Sequence, residues 1–121
     1  MNPLEIKQLR AGFWALGHET RLRIVLLLPY EGTQLHAGLI GQLLDLNAST
    51  CSKHLRILAQ AGLLKEERSG QYVHYKVNLD RLRELQTFLT DRLPSIQKET
   101  PNADSSGPAK TEEHQDSSVW A

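Results

Sequence analysis

Apolar residues recur along the first 93 positions with two different periods, and the change of period locates the elements. From Leu4 to Leu16, Ile6, Leu9, Phe13 and Leu16 keep helical spacing, and Gly17 follows as a natural stop. A second helix is predicted over Glu19 to Leu28, with Leu22, Val25 and Leu26 on one face. Glu19 lies in its first turn, where a carboxylate suits the helix dipole, and Pro29 closes it. A short third helix runs from His36 to Leu44 and ends at Asp45-Leu46-Asn47. Asn47 is a good N-cap for a fourth helix, Ala48 to Gln60, which Ala61-Gly62 terminates. On that helix Cys51, Leu55 and Leu58 make a core stripe, while Ser49, Ser52, Lys53, Arg56 and Gln60 fall on the polar side.

After Gly62 the period falls to two. Residues 63–68 and 72–77 flank Ser69-Gly70-Gln71, and a short glycine turn between two such runs reads as a β-hairpin. Tyr72 and His74 face one way, with His74 expected on the wet face, and Val73, Tyr75 and Val77 face the other. A last helix, Leu79 to Leu93, carries Leu82, Leu85, Phe88 and Leu89 on one stripe. Two helices joined by a tight turn and followed by a hairpin imply a mainly α fold with a β-hairpin wing, a winged helix-turn-helix. Its fourth helix, 48–60, is the one free to enter a major groove.

Composition divides the chain near Pro94. Of its 121 residues, 1–93 suffice for one domain, and 94–121 read as an acidic disordered tail. The Pro, Ser, Glu, Gln and Asp that dominate the tail bury too little to offset the entropy of ordering it. The 14 basic and 14 acidic residues cancel to a formal charge of zero, which on its face argues against nucleic acid. Divided by position, residues 1–97 hold 12 Lys/Arg against 9 Asp/Glu, a charge of +3, and the remainder carries −3. Residues 47–76 account for that surplus, with Lys53, Arg56, Lys65, Arg68 and Lys76 against Glu66 and Glu67. The two glutamates repel phosphate, so their strand is expected to turn both away from DNA.

The single cysteine excludes an intramolecular disulfide and a multi-thiolate metal site within one chain. No apolar stretch approaches a membrane span, and Met1-Asn2-Pro3-Leu4-Glu5 lacks the pattern of a signal peptide, so a cytoplasmic protein is expected. An enzyme is not expected. The chain shows no paired carboxylates, no Ser/His/Asp order and no phosphate-binding glycine loop.

Three linked motifs are more specific. Leu16-Gly17-His18-Glu19-Thr20-Arg21-Leu22-Arg23-Ile24-Val25 resembles the opening signature of the ArsR (SmtB/ArsR) family of bacterial regulators. Asn47-Ala48-Ser49-Thr50-Cys51-Ser52-Lys53-His54-Leu55-Arg56-Ile57-Leu58 resembles its recognition-helix motif. Ala61-Gly62-Leu63-Leu64 and then Arg68 to Tyr75 are similar to its helix end and wing. The resemblance implies a homodimeric DNA-binding repressor of transcription with an inverted-repeat operator as its partner. It implies DNA contacts from Ser49, Thr50, Ser52, Lys53, His54 and Arg56 on the helix and from Arg68, Gly70 and Gln71 on the wing 64–77. For His54 the implied role is contact with DNA or support of that contact. A dimer interface is assigned to Ile6, Leu9, Phe13, Leu82, Leu85 and Leu89, stripes that intramolecular packing would explain equally well.

The chain departs from the family where the family senses its signal. The cysteine pair of arsenic-sensing members falls on His36 and Gly38, and the last helix lacks the histidines of the zinc-binding version. Redox members use two cysteines, and this chain has one. No metal ligand and no cofactor is therefore assigned, and the inducer, a small molecule or a metal, stays unidentified. Cys51 reads as a small core hydrophobe rather than a reactive thiol. The five histidines share no short ligand spacing, although His18 and His36 could meet across folded elements or chains. The rival reading keeps the fold and makes it a protein-interaction module without specific DNA binding.

Overall fold

The structure, a computed structural model, describes residues 1–28 and 34–93. The tail assigned to 94–121 and the Pro29 stop lie outside the described residues. Eight elements follow in the order α1 (Pro3–Leu16), α2 (Glu19–Leu27), β1 (Leu35–His36), α3 (Ala37–Leu44), α4 (Ala48–Gln60), β2 (Leu64–Ser69), β3 (Tyr72–Val77) and α5 (Leu79–Asp91). Residues Met1–Gln86 make one compact unit and Thr87–Ala121 the other, whose described part is the end of α5 with Arg92 and Leu93. No described helix is long and apolar enough to cross a membrane.

Each of the first four helices starts on a side chain that accepts a backbone N–H left free at a helix end. Asn2 and Glu5 close a reciprocal capping box around Pro3, at 2.8 and 2.9 Å. Two of the caps are imidazoles, which the sequence reading misses. His18 Nδ1 accepts from the Thr20 N–H at 3.1 Å to open α2, and His36 Nδ1 accepts from the Leu39 N–H at 3.2 Å to open α3. Between α3 and α4 the chain turns through Asp45, whose φ of 58° lies in the left-handed region that Asp tolerates better than most residues.

The expected hairpin is present, and a third strand joins it. β1 pairs antiparallel with β3, Leu35 against Tyr75 and His36 against His74, and the sheet order is β1-β3-β2. Two residues are too few to show a period, so β1 left no pattern to read.

The core is formed by Ile24 of α2 and Leu28 just after it, Ile40 of α3, Leu55 and Leu58 of α4, and Leu63, all fully buried. On α2 the inward face is Arg21 and Ile24, continued by Leu28 just past its end, not the face carrying Leu22 and Leu26, which is exposed. Residues 24–28 are apolar without interruption, so periodicity left the inward face undecided and packing against α4 chose it. Leu85 of α5 is buried against α1. A Cβ on Gly12 would lie 3.0 Å from a Leu85 methyl group, so the missing side chain is what admits the leucine. Gly62 ends α4 at φ +82°, and the Asn78 side-chain amide donates to its carbonyl at 2.9 Å, tying the start of α5 to the base of the wing.

Candidate nucleic-acid interface

α4 separates its two faces cleanly. Cys51, Leu55 and Leu58 are buried, whereas Ser49, Ser52, Lys53 and Arg56 are exposed. The helix begins on Asn47, whose Oδ1 accepts from the Thr50 N–H at 2.8 Å and from the Ser49 hydroxyl at 3.2 Å. Of the residues assigned to DNA, Ser49 is thus already engaged in the cap, and the half-buried Thr50 gives its backbone N–H to the same oxygen. Replacing Asn47 with Ala should destabilise the fold by about 1 kcal/mol and fray the first turn of α4. Chemical denaturation and amide exchange at Thr50 would register both effects. Unchanged exchange would mean that the cap does not hold the turn.

Among the described residues the ion pairs are Glu19–Arg23, Arg81–Glu84 and Asp80–Arg83. None engages Lys53, Arg56 or Arg68, so these three cations are free to meet an outside anion. The wing tip is equally open. Arg68 and Gln71 are exposed on either side of Gly70, which has φ +64° and no described atom within 4 Å of where a Cβ would stand. The turn can therefore approach another backbone closely.

Two expectations need correction. Glu66 and Glu67 cannot both turn the same way, because successive side chains on a strand point to opposite faces. Glu66 pairs across with Tyr75, which is buried, and Glu67 pairs with His74. The Tyr75 hydroxyl has its pKa raised, by burial first and by the Glu66 carboxylate second, in keeping with that placement. His74 is not on a wet face. β1 flanks it on one side and β2 on the other, its ring stands 6.0 Å from that of His36, and its Nδ1 is buried without a hydrogen-bond partner among the described residues. His54, implied as a DNA contact or as support for one, stands next to Lys53 on α4. It is half-buried, and its Nδ1 lies 3.3 Å from Arg21 Nη1.

Arg21 is the residue that the sequence reading passed over. It is 7% exposed, and its Nε donates to the Ala15 carbonyl at 2.6 Å. The one available signal was a charge among the apolar residues of α2, which also fits a solvated face. Cys51 behaves as a core residue, since its Sγ sits 3.8 Å from the Ala37 carbonyl and burial raises its pKa. Within the chain His18 packs on His54, and His36 packs on Tyr72 and His74, so the two histidines weighed as a pair join different clusters. Among the described residues no three His, Cys, Asp or Glu side chains are placed to hold a metal ion.

Comparison with known proteins now bears on this geometry. A family model described as a helix-turn-helix domain matches residues 16–67, which takes in α2, α3, α4 and the start of the wing. The chain is 34% identical over 102 residues to YbzH of Bacillus subtilis, an uncharacterized HTH-type transcriptional regulator, covering 74% of this chain and 96% of that protein. It is 39% identical over 66 residues to the arsenical resistance operon repressor of Escherichia coli, covering 54% of this chain and 56% of that one. This chain belongs to the ArsR family of winged helix-turn-helix transcriptional regulators. The fold of this ArsR-family regulator also matches the solution structure of a homodimeric winged helix-turn-helix DNA-binding domain from Mycobacterium bovis. That match has a TM-score of 0.59 at 24% identity and covers 78% of this chain and 82% of the other. The regulator is a DNA-binding transcriptional regulator and not an enzyme.

Proposed function

We propose that this regulator is a cytoplasmic homodimeric repressor that holds an inverted-repeat operator with α4 and the wing. The observation that carries the reading is the exposed face of α4, where Lys53 and Arg56 stand beside Ser49 and Ser52 without ion-pair partners among the described residues. Lys53, Arg56 and Arg68 would neutralise phosphates. Ser52 and Gln71 would offer polar groups to base edges, and Gly70 would let the wing approach a groove. Ser49 and Thr50 contribute through the first turn of the helix, where the Asn47 cap holds them.

Residues 1–93 carry both DNA binding and dimerisation, with the acidic stretch 94–121 appended. Of the apolar residues assigned to the dimer, Ile6 and Leu89 are about half exposed and suit an interface directly. Leu9, Phe13 and Leu82 are partly buried against the core, and Leu85 is wholly engaged inside its own chain. Support for dimerisation and repression comes from the homodimeric Mycobacterium bovis domain and from the name of the Escherichia coli relative. Two-fold symmetry would set the recognition helices about one DNA turn apart, ~34–36 Å.

Selection of bound duplexes from promoter fragments, titrated over a range of salt, tests the proposal. The expected product is an inverted repeat with half-sites one turn apart, bound by a dimer. Its affinity should fall steeply with salt, because every neutralised phosphate releases counterions. Equal affinity for the repeat and for a scrambled duplex would refute operator recognition. Adding metals and small organic ligands to the bound complex would then identify the inducer by release.

A further inference from the structure

A charge as buried as Arg21 needs partners, and it finds them on two other helices, α1 and α4. Nε donates to Ala15 near the end of α1, the guanidinium lies 5.1 Å from the centroid of the Trp14 ring, and Nη1 reaches His54 Nδ1 on α4 at 3.3 Å. A guanidinium has donors only, so His54 Nδ1 must be the acceptor and carry no proton. Beside it the His18 ring packs with 4.6 Å between centroids, and His18 Nδ1 also serves as an acceptor, for the Thr20 N–H. Among the described residues, the titratable and charged groups that act on His54 are His18 and Arg21 from the α2 segment and Lys53 from α4, with no carboxylate among them. Burial in the first place, and these groups after it, hold the pKa of His54 below the ordinary imidazole value.

We infer that Arg21 and His54 are positioning residues for operator binding: their contact seats α4 on the corner between α1 and α2, and a proton on His54 undoes it. The inference rests on the operator-binding reading above. His54 lies between Lys53 and Arg56 in sequence, so a shift of α4 at this point moves both DNA-facing cations together. A protonated His54 cannot accept from Arg21 and faces its charge instead. The helix then spends part of its time in other orientations, and operator affinity falls by the fraction that remains competent. The sign follows from the folded state favouring neutral His54. The stabilising contribution is complete above the ordinary imidazole range and is lost as pH falls through it toward the lower folded value.

His54→Asn and His54→Ala decide the matter. An Asn Oδ1 can accept from Arg21 but does not titrate, whereas Ala removes the acceptor. At pH 8 His54→Asn should bind operator within about threefold of wild type, and His54→Ala about tenfold more weakly. Between pH 8 and pH 5.5 wild type should lose about tenfold in affinity relative to His54→Asn at the same salt, a ratio in which the other histidines cancel. The salt dependence should be the same for all three proteins. Alanine binding like wild type at pH 8, or a flat ratio across pH, would overturn the inference. So would a salt slope lower by about two per dimer in both variants at the acid end of the range, which would make a protonated His54 a direct phosphate contact. Thermal melting at pH 8 confirms that each variant is folded, and if the Ala variant is not, the pH ratio against Asn still decides. Failure of wild type to bind any inverted repeat at pH 8 would instead remove the operator reading, and with it this role for the pair.

Discussion

Reversing both cations of the recognition helix, Lys53→Glu with Arg56→Glu, is expected to weaken operator binding by about a hundredfold or more and leave the fold intact. Both side chains are exposed, and neither has an ion-pair partner among the described residues. Each reversal removes a phosphate contact and sets a repulsive charge in its place. Anisotropy titrations over several salt concentrations should show the slope of log affinity against log salt reduced by about four, two contacts from each protomer of the dimer. Surface substitutions of this kind usually change stability by no more than about 0.5 kcal/mol, so the melting temperature should move by only a few degrees. Unchanged affinity in a folded double variant would favour the rival reading, a winged helix whose partner is a protein rather than DNA.

On the other side of the same helix the expectation is reversed. Leu55→Ala should lower the free energy of unfolding by about 2–5 kcal/mol, since Leu55 is fully buried and its loss leaves a cavity among packed neighbours. A domain of this size has a total stability of about 5–15 kcal/mol, so the loss is a large part of the whole. Urea denaturation should show the midpoint moved to lower concentration with the slope preserved. A loss under about 1 kcal/mol would mean that α4 is not seated on the core as described. Together the two variants separate what α4 does for DNA from what it does for the fold.

The polarity of α4 was legible because it is a local property. Asn47, the stripe Cys51/Leu55/Leu58 and the terminator Gly62 all fall within one helix, and the helical period decides which residues share a face. The hairpin was legible for the same reason, since a period of two on either side of a glycine turn has few other readings. The opposed directions of Glu66 and Glu67 were also in that period, because neighbours on a strand must diverge. Charge was less informative. A total of zero conceals a domain surplus of +3, and only the position of the surplus connected it with the DNA-facing segment.

What the sequence by itself determined was the succession of helices, the wing and the family, all carried by short spacings and by motifs contiguous in the chain. What only the tertiary structure decided was which face of each ambiguous element turned inward. α2 is apolar on several sides, and packing against α4 chose Arg21 and Ile24, with Leu28 just beyond, over Leu22 and Leu26. That choice buried a charge, and a buried charge must find partners. It found them in the Ala15 carbonyl and in His54, 33 residues away, and so turned a residue assigned to DNA toward the interior. No local pattern encodes such a contact, because it exists only once the elements that supply its two halves have met.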